Sequence, residues 1–294
     1  MKRMNLFLVA CPRAGSTQLA RWLGSHPMIG LSPIKEPNFF AAHEFPPEFV
    51  AAAHLDDVSP ERYLRPGRRR HRPVQFAVLR ERCHYDRLAG LLAGPWRMEA
   101  STSYLACPEA PMMIHAYNPR ARVILLTREP VSRALSHYRL AVRSGRTRAP
   151  LGEEIEAEQR GALPPGGRYL LRPGRWRAGI SRFRSTFAPE QLLRLRFEDM
   201  IRDPAETLAR ICRFLGVAPD RIDLTLTARN RGIAPRFPAL NARLQESGLK
   251  TRLRRHLPRP VKAAIGRVWF DPGREIPVSE DEVARLTHAL RAAP

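Results

Sequence analysis

The sequence predicts an α/β fold, three layers deep, around a mainly parallel central sheet. Three observations predict it. Two short, continuous apolar runs, "LFLVAC" and "RVILLT", have the length of strands buried on both faces. Each is followed by an amphipathic stretch, so strands alternate with helices. The first run also passes through Pro12-Arg13-Ala14-Gly15-Ser16-Thr17 before its helix, the layout of a phosphate-binding loop.

Taken in order, Leu6–Cys11 reads as a buried strand that Pro12 ends. A helix starts at Ser16 or Thr17 and runs to about Ser25, with Leu19, Trp22 and Leu23 on one face. Met28–Leu31 is a short extended piece. Residues 44–75 are rich in proline, arginine and aromatics and read as a surface insertion. Trp96–Ala100 is a further strand. Arg122–Thr127 is the clearest second buried strand, with a helix over Pro130–Arg143. Residues 144–168 are polar, carry "LPPGG" and read as a mobile segment. Gln191–Phe197 is the next strand and Pro204–Leu215 its helix. From about Asn230 the chain becomes irregular and basic, closing on a helix over Ser279–Ala292. No internal repeat is visible. The organisation expected is one domain over 1–294, with a core at about 5–217 and a basic C-terminal extension from about 230.

With 294 residues and 44% apolar side chains the chain can bury a large core, and 27% charge does not read as wholesale disorder. The net charge of +22 predicts attraction to anions. An arginine-rich surface with no specific partner gives the same number. Cys11, Cys83, Cys107 and Cys212 are scattered without a CxxC pair, which points to neither a zinc site nor a disulfide scaffold. A reduced, cytoplasmic setting is the simpler reading. The apolar start "MNLFLVAC" is too short for a signal-peptide core with a cleavage site, and no stretch is long enough to span a bilayer.

Three motifs carry chemistry. The loop offers backbone N–H groups, the start of a helix and the hydroxyls of Ser16 and Thr17, while Gly15 lets an anion approach closely. It lacks the first glycine of GxxxxGK[ST], and Ser16 stands where the lysine belongs. An ordinary strand-turn-helix with small residues is the competing reading. In "VILLTREPVSRALSHYRL", Arg128 ends a strand and Ser136 lies eight residues on, about two helical turns, so the pair is placed for a second phosphate. A surface Arg128–Glu129 pair is the alternative. In "SPIKEPNFF", Pro37 extends the chain at Glu36, and Phe39 and Phe40 anchor it, so Glu36 is a candidate general base. An exposed Lys35–Glu36 pair is the plainer reading.

Taken together and in this order, these fragments resemble the sulfotransferases that use 3′-phosphoadenosine 5′-phosphosulfate (PAPS). The bacterial and heparan-sulfate-type branch is the more similar one, over roughly residues 5–217. "MEASTSYL" and "LRFEDMIRDPAETLARICRFLGV" follow the same family pattern. The resemblance implies a P-loop-like phosphosulfate-binding loop formed by Arg13, Ala14, Gly15, Ser16, Thr17 and Gln18. It implies a 3′-phosphate site at Arg128 and Ser136, with Arg229, Arg231 and Gly232 closing over it. It implies Glu36 as the base in an in-line transfer of the sulfuryl group (an EC 2.8.2 activity), Arg13 at the leaving phosphate and Lys35 beside it. No metal is expected in that chemistry. The acceptor implied is a hydroxyl compound, a carbohydrate or glycoconjugate, with an anionic glycan or glycolipid fitting the basic clusters at 65–72 and 250–259. The family needs no magnesium and moves a group less charged than phosphoryl, so the absent loop lysine is tolerable.

Two departures stand out: Arg13 takes a position usually held by lysine, and Ala100 takes that of a second lysine in heparan-type members. Arginine gives up a proton far less readily than lysine. A sulfonucleotide-binding but weakly active homologue is therefore the alternative function. A P-loop kinase ranks below it, and nucleic acid binding rests on charge alone, so no nucleic-acid partner is expected. His137 and Glu99 are the runner-up bases, with a structural role the plainer one for His137 and, for Glu99, orienting Glu36 or binding the acceptor as the alternative. Arg172 and Arg175 are ambiguous. "VKAAIGRVWF", with Trp269 and Phe270, reads either as a helix packed on the domain or as a peripheral membrane contact.

Overall fold

The computed structural model describes residues 2–49, 59–65, 67, 72–226, 234–247, 258, 261, 264–265, 268–271 and 276–292. Seven strands organise the first two thirds of the chain: β1 (Leu6–Ala10), β2 (Ile29–Leu31), β3 (Ile34–Glu36), β4 (Val74–Phe76), β5 (Trp96–Glu99), β6 (Arg122–Thr127) and β7 (Leu192–Arg196). Five of them form one sheet in the order β2-β5-β1-β6-β7, every neighbour parallel. β3 and β4 form a separate parallel pair. All five residues of β1, and Val123 to Thr127 of β6, are buried. Successive side chains of a strand point to opposite faces, so helices must cover both sides and the molecule is three layers deep.

The helices are α1 (Ser16–Gly24), α2 (Pro60–Tyr63), α3 (Arg82–Gly90), α4 (Ala110–Tyr117), α5 (Pro130–Ser144), α6 (Leu151–Gln159), α7 (Trp176–Thr186), α8 (Phe197–Arg202), α9 (Pro204–Leu215), α10 (Pro238–Glu246) and α11 (Glu280–Arg291). Their ends follow local chemistry. Pro130 opens α5, where the Glu129 carboxylate accepts from the N–H groups of Val131 at 2.9 Å and Ser132 at 2.7 Å. Gly145 closes it at φ 81°. Asp203 caps α9 through the Glu206 N–H, and Ser279 and Glu282 form a reciprocal capping box on α11. The five strands of the central sheet, α1, α5, α9 and α11 agree with the sequence reading to within two residues, whereas β3 and β4 were not expected as strands.

The segment 144–168 departs from it. It is not a loose linker: α6 buries Leu151 and Ile155 in a satellite core with Ala134, Tyr138, Leu170, Leu171, Leu286 and Ala289. Its apolar face is only two residues wide, and its cover, α11, lies far along the chain. Periodicity within one short window therefore missed it. The insertion at 44–75 is likewise partly built in, because β4 within it completes the β3 pair. The C-terminal part contributes α10, against which Trp269 packs: it donates from Nε1 to Asn241 of that helix and lies edge to face with Phe237, just before it, at 6.2 Å. Val261, Ile265 and Val268 are exposed. Among the described residues no helix is long and apolar enough to cross a membrane.

Leu286 is fully buried at the centre of the satellite core. Leu286→Ala is expected to destabilise the protein by roughly 2–5 kcal/mol, read as a lower midpoint in urea unfolding at unchanged slope.

Candidate active site

The turn between β1 and α1 places two residues in the left-handed region, Arg13 at φ 70° and Gly15 at φ 82°. A Cβ on Gly15 would lie 2.7 Å from Met200 Cε and 3.0 Å from the Phe197 ring, so only glycine fits. Arg13 has no such excuse, and holding a non-glycine residue there costs about 1–3 kcal/mol. Two contacts from the second motif offset it. Arg128 Nη1 donates to the Arg13 carbonyl at 2.8 Å, and Arg13 Nε donates to Ser136 Oγ at 3.1 Å. The Arg128 guanidinium lies over the Phe197 ring, 4.4 Å from its centroid. Arg128 is therefore a support of the loop and not the half of a surface pair. Glu129 is occupied with capping α5.

Charge at this turn is unusual. Burial lowers the Arg13 guanidinium to about 10, and its charged neighbours Arg143 and Arg128 push the same way. It remains a cation at neutral pH, partly stripped of water and facing like charge. Burial lowers Arg128 too, although Glu198 opposes the shift. The first N–H groups of α1 have no intrahelical partner and carry the positive end of the helix dipole. An arriving anion would relieve all of these costs at once.

Glu36 ends β3. Its Oε1 accepts from Lys35 Nζ at 2.5 Å and from Gln75 Nε2 at 3.2 Å, and its Oε2 accepts from Thr102 Oγ1 at 2.9 Å. Its side chain keeps 14% exposure, enough for a substrate to touch it. The backbone just beyond is pinned. Asn38, at φ 51°, donates from Nδ2 to the carbonyls of Glu36 and Ala77, both at 2.9 Å, and accepts from Ser103 Oγ at 2.7 Å.

Glu99 explains the pinning and is not a second base. It is fully buried and takes three hydroxyl donors: Tyr85 at 2.6 Å and Tyr104 at 2.8 Å on Oε1, Ser101 at 2.7 Å on Oε2. Ser101 Oγ in turn accepts from the Asn38 N–H, and the Tyr104 hydroxyl from that of Phe40. Burial raises the Glu99 carboxyl to about 7 against those three donors. His137 is also a poor base. Burial, then Arg133, Arg13 and Arg146, hold it well below its ordinary value, and its ring packs 5.0 Å from Tyr169.

One cavity of about 1230 Å³ joins these parts. Arg13, Gly15, Ser16, Thr17, Gln18, Lys35, Glu36, Arg128 and Ser136 all line it. Ala14 does not: it is fully buried, and its N–H is committed to the Cys11 carbonyl at 3.2 Å. Arg229, Arg231 and Gly232 lie outside the described residues, as does most of the two basic clusters. Gln75, Thr102 and Tyr169 also line the cavity and were missed. No spacing rule points to them, although Thr102 sits inside "MEASTSYL". Arg172 lines it while bound to Glu44 and to the Ala106 carbonyl, which makes it a brace of the wall. Arg175 is exposed and lies outside the lining.

A model of the sulfotransferase family matches residues 5–221. The chain belongs to the sulfotransferase family. Human carbohydrate sulfotransferase 15 is 23% identical over 91% of this chain and 53% of its own length. Human heparan sulfate glucosamine 3-O-sulfotransferase 3B1 is 31% identical over 45% of this chain and 34% of its own. The chain thus spans about half the length, or less, of these curated relatives. The crystal structure of a sulfotransferase from Alicyclobacillus acidocaldarius superposes with a TM-score of 0.63 at 26% identity, covering 87% of this chain and 98% of that one. The family match contains the whole five-stranded sheet and every described residue proposed for the site.

Glu99 binds a proton in the folded state at pH values where the unfolded chain, near 4.5, has lost it. The folded state therefore binds more protons between about 4.5 and 7, and stability falls as pH rises through that window. The slope approaches about 1.4 kcal/mol per pH unit and flattens above. Glu99→Gln mimics the neutral acid, so its unfolding free energy is expected to lack that slope. Urea melts from pH 4.5 to 8 check this, and an unchanged slope refutes it.

Proposed function

We propose that this sulfotransferase-family protein transfers the sulfuryl group of PAPS to a hydroxyl of a carbohydrate or glycoconjugate acceptor, in a reduced, cytoplasmic setting. The observation that carries the reading is the shared cavity. A desolvated loop cation, Arg13, and a hydrogen-bonded carboxylate, Glu36, open into the same space. The names of the relatives support a glycan acceptor, and four free cysteines support the setting.

In the proposed reaction Glu36 takes the proton of the acceptor hydroxyl as its oxygen bonds to sulfur. The bond from sulfur to the 5′-phosphate oxygen breaks, leaving 3′-phosphoadenosine 5′-phosphate with an extra negative charge. Arg13 and the N–H groups at the start of α1 meet that charge. Arg13 acts as a fixed charge there, since guanidinium does not give up a proton at neutral pH. Lys35 and Gln75 hold one oxygen of Glu36 and Thr102 the other, which orients the carboxylate towards the acceptor. Arg128 and Ser136, half-buried and joined to the loop through Arg13, are the groups proposed to meet the 3′-phosphate and so to favour nucleotides that carry it.

Two outcomes test this. 3′-Phosphoadenosine 5′-phosphate at 100 times its dissociation constant is expected to add about 2.7 kcal/mol and raise the melting temperature by about 4–5 °C. ADP and ATP-magnesium should not, and an equal shift with either sinks the reading. Glu36→Gln should keep that shift while sulfuryl transfer from PAPS to a panel of oligosaccharides falls by about 10²–10⁴-fold. Full activity in Glu36→Gln would remove it as the base.

A further inference from the structure

Behind the cavity wall lies a group of side chains that sulfuryl transfer does not use. His43 Nε2 is 3.3 Å from Glu109 Oε2 and 3.8 Å from Cys107 Sγ, and that sulfur is 3.4 Å from Glu109 Oε2. One nitrogen, one sulfur and one oxygen thus form a nearly equilateral triangle. A tetrahedral zinc ion, with bonds of about 2.3 Å to sulfur and about 2.0–2.1 Å to nitrogen and oxygen, requires ligand-to-ligand edges of roughly 3.3–3.6 Å. The triangle is close to one face of that tetrahedron. The mixed donor set is also the one that borderline-soft divalent ions prefer.

The surroundings fit an open site. Cys107 is fully buried, while the side chains of His43 and Glu109 keep 51% and 54% exposure, so a fourth position would face solvent. The placement has a consequence. His43 lies on the 3₁₀ helix Phe39–Glu44, just after the Glu36–Asn38 turn. Cys107 and Glu109 follow the segment that supplies Thr102 and Ser103, at the entrance to α4. The next residues inward, Glu44 and Ala106, line the cavity. An ion here would cross-link the two segments that together hold Glu36.

We propose that His43, Cys107 and Glu109 form a binding site for a zinc-class divalent ion. Binding forms a metal–sulfur bond, releases the thiol proton to water and leaves the fourth position to a water molecule. The site clamps the Glu36 segment to the Thr102 segment and is separate from the sulfuryl-transfer chemistry.

Cobalt(II) titration of the full chain, free of any histidine tag and kept reduced, tests this without any activity assay. One equivalent is expected to give a thiolate-to-cobalt charge-transfer band with tetrahedral d–d absorption. Cys83→Ser should keep the band and Cys107→Ser should lose it. His43→Gln and Glu109→Gln alter half-exposed side chains, so they remain informative if Cys107→Ser does not fold, and each should lose the tetrahedral spectrum. Zinc at 100 times its dissociation constant should raise the melting temperature of the wild type by about 4–5 °C and leave that of His43→Gln unmoved. Cobalt that binds without a thiolate band, or a band that survives in both His43→Gln and Glu109→Gln, overturns the proposal.

Discussion

The constraint on which the site depends is the parallel register of β1 between β5 and β6. Val9 faces Leu125 and Ala10 faces Leu126, so β1 and β6 end level with each other. The turns that follow, one carrying Arg13 and the other Arg128, must then meet at the same edge. Leu6 pairs with Met98 and Phe7 with Glu99 on the other side, which delivers the chain after β5 to that edge as well. Strands buried on both faces can be shifted only by breaking a full row of hydrogen bonds and repacking two helix layers. The registration of the chemical groups is thus inherited from the best-buried part of the molecule.

The groups so gathered are individually unfavourable. Arg13 is in a left-handed turn, partly desolvated and near other cations. The arrangement persists because it is tied from outside the loop, by Arg128 on its carbonyl and Ser136 on its side chain. Such a site is pre-organised for an anion, since little ordering cost remains when one arrives. The two nearby carboxyls divide along lines of solvation. Glu36 is held by three donors but remains open to the cavity. Glu99 is sealed among hydroxyls, and its donors fix the backbone at Asn38 and Phe40. The inaccessible acid aims the accessible one.

The far wall of the cavity is built differently. Buried Glu158 accepts from the N–H groups of Leu170, Leu171 and Arg172 at 2.7–3.0 Å, which fixes the irregular stretch that leads into the 3₁₀ turn Arg172–Gly174. Arg133, fully buried, donates to the carbonyls of Tyr169 and Leu170. Arg172 then reaches back to Glu44 beside the Glu36 segment. The helix nearest the C-terminus, α11, covers the outside of this wall through Leu286 and Ala289. Cavity shape therefore depends on residues far from the loop, joined by charge-assisted hydrogen bonds that tolerate little displacement.

The sequence by itself determined the five strands of the central sheet, the helices after β1, β6 and β7, and the loop, and it singled out Arg13, Arg128, Ser136 and Glu36, which line one cavity. These signals are local: a run of apolar residues, a proline or glycine at a fixed place, a charged residue at a strand end. Only the tertiary structure decided what depends on distant partners. It made a helix of Leu151–Gln159 within the stretch 144–168, because α11 supplies the missing apolar cover. It made Glu99 an anchor because three hydroxyls from separate positions converge on it, and it committed the Ala14 N–H inward. It also brought His43 to Cys107, 64 residues away, where no spacing rule reaches. Periodicity reports the face that a segment buries. It does not report which segment arrives to cover that face, and pairing across the fold sets the proton affinities and ligand geometry.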